Sequence, residues 1–302
     1  MKEIRDIVQF WEARRGESLA LATLVAAHGS SYRRPGARMM INGAGESAGG
    51  VSAGCIEEEV IACARDVLRA GVLQLMTFDT RLRFGCHGTI EIFVEPAREE
   101  LMAELCECVA RRQSCRLVTG VHGDARGTRI AGFEDVAGSF VQTIEPVLRL
   151  ILIGDGPDTV ALRTHAALLG WDVLRLDAAP VPPDMLDERT AVVIATHNFG
   201  RDCAALRDLL PAGLRYLGVV GSRRRRDDLL FDVMHNGVEC QSCLFAPAGL
   251  HLGADSPEEI ALSIVAEIQC VFACGTGQQL RHRKAPIHQP ASEAVTCAES
   301  AA

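Results

Sequence analysis

Apolar positions in the first fifteen residues fall on one helical face: Ile4, Ile7, Val8 and Trp11 recur at helical spacing. The uninterrupted run SLALATLVAA (18–27) then reads as a buried strand, and MMIN (39–42) as a short one. Between them HGSSYRRPGAR (28–38) is a loop rich in turn formers. After a Gly-rich hairpin, residues 54–71 predict a helix with a stripe of Ile56, Val60, Ala64 and Val67, closed by Gly71. VLQLMTF (72–78) and TIEIFVEP (89–96) predict strands on either side of RFGCHG. Residues 98–112 predict a helix, and strands follow near 116–121 and 138–144.

Past Pro146 the rhythm changes. LRLILIGDGP (148–157) predicts a strand ending in glycines, TVALRTHAALLG (159–170) a helix and WDVLRLD (171–177) a strand. AVVIATH (191–197) and LRYLGVVGS (214–222) repeat the strand pattern with helices between. Such alternation predicts a parallel sheet with right-handed crossovers. SPEEIALSIVAEIQCVF (256–272) predicts a helix opened by a Ser256–Glu259 capping box with Pro257 in the first turn. The fold expected is α/β: an N-terminal mixed α/β domain over 1–97, a connecting helix and strands over 98–146, and a C-terminal Rossmann-like parallel-sheet domain over 147–280. A polar tail, 281–302, is expected to be disordered.

The 302 residues carry 31 basic and 39 acidic side chains, a net charge of −8, which argues against broad nucleic-acid affinity. No apolar run reaches membrane-spanning length and the opening residues lack a secretion signal, so a cytoplasmic location is expected. The 12 cysteines then read as thiols, most of them small core fillers. A homodimer is expected, since dimers are the commonest assembly.

In the second domain Gly154 and Gly156 stand between strand and helix, with Asp177 ending the next strand, which is most of a dinucleotide fingerprint. Thr159 replaces the third small residue, and Asp155 and Asp158 put negative charge where a pyrophosphate would sit. An NAD(P)-dependent oxidoreductase is therefore the alternative reading, beside a sheet that binds no dinucleotide. Thr196 and His197 end another strand with Asp202 following, and Gly221 and Ser222 end the next, before Arg223–Arg226. These ends of parallel strands are where open α/β sheets bind ligands. An anion at the start of the helix that follows Gly221 and Ser222 would draw Arg223 or Arg224 inward; otherwise the arginines form a solvated face. Cys240-x-x-Cys243 with Cys270 and Cys274, one helical turn apart, raises a zinc site as a further alternative.

In the first domain Cys55 and Cys86 each follow a glycine. Cys55 is expected at a helix start, where amide dipoles favour a thiolate, although Glu57, Glu58 and Glu59 oppose that. Either thiol suits sulfur or molybdenum chemistry, or plain packing. His28, Ser30, Arg33, Arg34 and Arg38 form a loop and strand start able to hold an anion.

Taken together, GSSYRRPGARMMI, GGVSAGCIEEEV, FGCHGTIEIFVEP, LILIGDGPD, ATHNFGRD, GVVGSRRRR and PAGLHLGADSPEEIALSIVAEI resemble, in order, the motifs of the XdhC/CoxI family, the xanthine dehydrogenase accessory proteins. His87 stands where the family has Gly, Asp155 where Ala is common, and Asn198 where an acidic residue is frequent. The resemblance implies a chaperone that is not a turnover enzyme. It would bind molybdenum cofactor (molybdopterin), support its sulfuration and deliver it to an apo-molybdenum hydroxylase of the xanthine dehydrogenase type. A cysteine desulfurase would supply the sulfur. Carried onto this chain, the cofactor-binding candidates are Cys55, Cys86, Arg38, Gly49, Gly50, Gly54, Glu57, Gly154, Gly156, Asp177, Thr196, His197, Asp202, Gly221, Ser222 and Arg223. Cys55 and Cys86 are the candidate molybdenum or sulfur contacts. A carrier of sulfur without a pterin is a third reading.

Overall fold

The computed structural model describes residues 2–29, 31–79, 88–123, 126–132, 138–235, 237–282 and 284. The chain divides into two units, Met1–Pro146 and Val147–Ala302.

In the first unit the long apolar run becomes β1 (Leu19–Gly29), the centre of a five-stranded antiparallel sheet. Its neighbours are β2 (Arg38–Asn42) with β3 (Ser47–Gly49) outside it, and β5 (Gly88–Pro96) with β4 (Gln74–Asp79) outside it. β1 reads as continuously apolar because it is buried on both faces. Ala20, Ala22 and Leu24 face a core with Val60, Ala64 and Val67 of α2 (Glu57–Ala70). Leu19 and Leu21 face the opposite core, built by Ile4, Ile7, Val8 and Trp11 of α1 (Lys2–Glu12) and by Leu101, Met102 and Leu105 of α3 (Glu99–Ala110). The period of two along a strand sends alternate side chains to the two cores.

Residues 98–146 belong to this unit. After α3 they form a second antiparallel sheet in the order β7-β6-β8, from β6 (Cys115–Gly120), β7 (Gly127–Ala131) and β8 (Ser139–Ile144). Leu117 and Ile144 join the α1–α3 core. β7 is invisible in the hydrophobic pattern because GTRIA has little apolar alternation; it exists through its full pairing with β6, from Arg116–Ala131 to Gly120–Gly127.

The second unit is a parallel sheet in the order β10-β9-β11-β12-β13. Its strands are β9 (Arg149–Ile153), β10 (Asp172–Leu176), β11 (Thr190–Ile194), β12 (Tyr216–Val219) and β13 (Leu244–Phe245). α4 (Pro157–Leu168) and α7 (Pro257–Ala273) pack on one face with Leu150, Leu152 and Val193. α5 (Phe199–Leu209) and α6 (Arg223–His235) pack on the other with Ile151, Ile153, Val192 and Ile194. The predicted Ser256–Glu259 capping box forms in both directions. Because β10 and β11 flank β9 on opposite sides, the chain leaves the sheet in opposite directions there, and a crevice opens past the carboxyl ends of β9 and β11. The tail expected to be disordered lies, apart from residues 281, 282 and 284, outside the described residues.

Ile264 of α7 is fully buried in the α4–α7 core. Ile264→Ala is expected to cost about 2–5 kcal/mol, read as a lower urea midpoint for loss of the second unit's far-UV signal.

Candidate functional site

Cys55 lies just before α2, not within it. The helix begins at Glu57, with Ile56 in the N-cap position and no side-chain cap of its own. The carboxylate of Glu57 folds back over the preceding turn instead. It accepts the Ser52 amide at 2.9 Å, the Ser52 hydroxyl, and the Ile56 amide at 3.2 Å. Partial burial works against ionisation of Glu57, but the bonds from Ser52, its own amide and Ile56 outweigh it and hold its pKa below the ordinary 4.5. The amides that sequence reasoning offered to a Cys55 thiolate are thus taken by a carboxylate. Cys55 is left exposed on the outside of the turn, its sulfur 3.5 Å from the Ser52 hydroxyl.

The glycines of this segment have separate duties. Gly49 has φ +79, and a Cβ there would meet the Arg38 carbonyl at 2.3 Å, so it is glycine for the β2–β3 pairing. Gly54 has φ +103 with open space around it, and Gly50 stands beside Glu57. Cys86 lies outside the described residues, so its distance from Cys55 is not part of this geometry.

Arg38 is not on the loop surface. Its side chain is 1% exposed, inside the first unit. It donates to the Gly36 carbonyl at 3.1 Å and to Gln142 of β8, while its backbone amide donates to Glu3 of α1 at 2.8 Å. Desolvation lowers its pKa to about 10, against the opposing fields of Glu3 and Glu95. Glu95 is buried too, and desolvation raises its pKa despite a bond from the Thr128 amide. Arg38 therefore holds α1, β2 and β8 together. Arg33 pairs with the same Glu3, and Ser30 lies outside the described residues. A cleft of about 380 Å³ on this unit is lined by residues such as Trp11, Arg15, Glu17 and Leu68, and includes none of the candidates.

In the second unit the crevice gathers Gly154, Gly156, Thr196 and His197. Gly154 has φ +136, and a Cβ would lie 2.3 Å from the Ala195 carbonyl, so only glycine lets the β9 turn pass the end of β11. Thr159, in the place of a third small residue, is buried and returns its hydroxyl to the Gly156 carbonyl at 2.7 Å. His197 sits at φ +54 and turns its ring across Gly156. Its Nε2 is 2.9 Å from the Asp158 carboxylate in the first turn of α4. The amide mouth of α4, which the dipole favours for an anion, is therefore faced by a carboxylate of the same chain. Asp177 is largely exposed beyond β10 and pairs with Arg175 at 3.2 Å.

Thr196 and Asp202 belong to a buried network. Asp202 is 1% exposed, receives the Thr196 hydroxyl, and pairs with Arg225 at 2.6 Å. Arg225, not Arg223 or Arg224, is the arginine of this run bonded to Asp202, and its stem crosses Gly221, where a Cβ would lie 3.0 Å from Cδ. Ser222 accepts the Arg225 amide at 3.2 Å and so caps α6. Asn198 caps α5 through the Arg201 amide at 3.0 Å, a task Asn and Asp perform equally. Among the described residues no group of three or more His, Cys, Asp or Glu is placed to hold a metal ion, and Cys240, Cys243, Cys270 and Cys274 form no such group.

Two outcomes follow from this geometry. Glu57→Gln is expected to loosen the turn and raise the alkylation rate of Cys55 severalfold. In the parent protein, Glu57's contribution is complete above about pH 4.5 and is lost as pH falls through its lowered folded value; amide exchange at Ser52 and Ile56 reads it. Asp202→Ala strands the buried end of Arg225, leaves Thr196 bonded only to Asn198, and is expected to cost about 3 kcal/mol, with Asp202→Asn recovering part, both read by thermal melts.

The XdhC and CoxI family model matches residues 12–79, and the XdhC Rossmann domain model matches residues 150–268. A probable xanthine dehydrogenase subunit from Bacillus subtilis is 30% identical over 313 aligned positions, covering 83% of this chain and 92% of that protein. A molybdenum cofactor insertion chaperone of Escherichia coli, PaoD, is 27% identical over 281 positions, covering 85% and 84%. The crystal structure of a xanthine dehydrogenase from Bacillus halodurans superposes with a TM-score of 0.74 at 25% identity, covering 93% of this chain and 98% of that one. With both halves matched in order and a relative of this identity aligned over most of its length, the chain belongs to the XdhC and CoxI family.

Proposed function

We propose that this protein is a molybdenum-cofactor chaperone. It holds the cofactor as cargo, supports exchange of an oxo ligand for sulfur, and passes the cofactor to an apo-molybdenum hydroxylase of the xanthine dehydrogenase type. Membership of the family and similarity to an insertion chaperone support this reading. The observation that carries it is the exposed thiol of Cys55 on a turn that Glu57 has already ordered. A soft sulfur donor on a pre-organised turn can meet a molybdenum centre or accept sulfur with little ordering cost. Gly54 keeps the backbone beside it open. In this reading the sulfur donor is a cysteine desulfurase, Cys86 is the second thiol, and the protein works in the cytoplasm as a homodimer without turning over a substrate.

In the second unit the candidate anion site of this reading is the crevice past β9 and β11, where any anion must compete with Asp158. Arg225, Ser222, Gly154 and Gly156 line the relevant strand ends, with Thr196, Asp202 and His197 setting their positions. A dinucleotide-dependent oxidoreductase fits this crevice less well, because Asp158 faces the place a pyrophosphate needs.

The test is maturation of apo-xanthine dehydrogenase in an anaerobic mixture of molybdenum cofactor, cysteine desulfurase and chaperone. Cys55→Ala alters an exposed side chain and should leave stability within about 0.5 kcal/mol. Its yield of active enzyme and its cofactor retention should fall at least severalfold. Equal yields from variant and parent would overturn the role of Cys55. NADH or NADPH binding with substrate-dependent absorbance change would favour the oxidoreductase instead.

A further inference from the structure

The proposed function leaves Cys240-Gln241-Ser242-Cys243 unused. These four residues lie between α6 and β13. Ser242 is buried; the two cysteines and Gln241 are exposed. The Ser242 hydroxyl donates to the Leu209 carbonyl at 2.7 Å and accepts the Leu214 amide at 3.0 Å. The amides of Gln241 and Ser242 both reach the Leu210 carbonyl at 2.9 Å, and the Cys243 amide reaches the Leu214 carbonyl at 2.8 Å. Two successive amides can converge on one oxygen only if the backbone curls between them. The segment is thus a bent turn anchored at its middle to the end of α5, with a thiol at each end.

The sulfur of Cys240 folds back over that turn. It donates to the Ser242 carbonyl at 3.4 Å, the carbonyl of the peptide that leads into Cys243. Bonded to that carbonyl, the Cys240 sulfur lies beside the backbone of Cys243, the closeness required by a disulfide that bridges Cα atoms about 4.4–6.8 Å apart. We propose that Cys240 and Cys243 form a dithiol–disulfide exchange site for small disulfides of the glutathione class.

The reaction balances without a metal or other cofactor. One thiolate attacks a sulfur of the small disulfide, whose S–S bond breaks to release one thiolate and leave a mixed disulfide. The other cysteine's thiolate attacks the protein sulfur of that bond and expels the second small thiolate. Two protein thiols lose two electrons and two protons; the small disulfide is reduced to two thiols. Both cysteines are open to such a reagent, whereas Cys115 and Cys203 are buried with their pKa values pushed up to about 12 and about 11, desolvation being the main cause. The turn precedes β13 and so lies at the amino-terminal ends of the parallel strands, opposite the crevice of Gly154 and His197.

The reduced full-length protein is equilibrated with oxidised glutathione, quenched by alkylation and mapped with chymotrypsin, which separates this pair from Cys270 and Cys274. The expected product is a Cys240–Cys243 peptide lacking two hydrogens and carrying neither alkyl group nor glutathione. Cys240→Ser should leave a glutathione adduct on Cys243, and Cys243→Ser one on Cys240. The proposal fails if each cysteine of the parent protein carries its own glutathione, or if both stay alkylated while Cys55 is glutathionylated.

Discussion

Each unit is organised around a central strand that must be covered on both faces. β1 sends Ala20, Ala22 and Leu24 to one core and Leu19 and Leu21 to the other. β9 divides Leu150 and Leu152 from Ile151 and Ile153 in the same way. A one-residue slip would exchange every side chain between cores, so register is set tightly there. The same burial encloses Arg38, whose partner on β1 is Thr23, itself fully buried. A guanidinium taken out of water is tolerated only with partners. Gln142 and the Gly36 carbonyl supply them at Nη1 alone, while Glu3 and Glu95 act on the charge through their fields, and Nε and Nη2 are buried without a hydrogen bond among the described residues.

The candidate sites share a second constraint. Three of the features that favour an anion have a carboxylate of this chain beside them. Glu57 holds the amides before α2, Asp158 stands at the start of α4 with His197, and Asp202 holds Arg225 of α6. These carboxylates order the loops before any ligand arrives. They also set a cost, since an incoming phosphate must compete with or displace a negative charge already in place. The first unit escapes that cost at Cys55, whose sulfur projects outward from the ordered turn.

Much of the fold was legible because periodicity and end signals agreed. The α7 capping box, the left-handed Gly71 after α2 and the strand–helix alternation past Pro146 are local consequences of residue type. β7 was not legible, since its identity rests on pairing with β6. Among the candidates, Gly154 could be read from its motif, and the geometry supplies its reason in the Ala195 carbonyl. Arg38 and Arg223 could not be read correctly by type alone. A run of arginines looks alike in sequence, and only the neighbours show that Arg38 is interior and that Arg225 reaches Asp202.

The sequence by itself determined the two α/β halves, the glycine turns and the positions of the thiols, because these follow from short-range spacing and backbone preference. Tertiary structure decided which charges face one another: Glu57 over the turn of Cys55, His197 against Asp158, and Arg225 against Asp202. Those pairings join residues from different elements or across a reversed turn. Their energies depend on distance and burial, which spacing along the chain does not record.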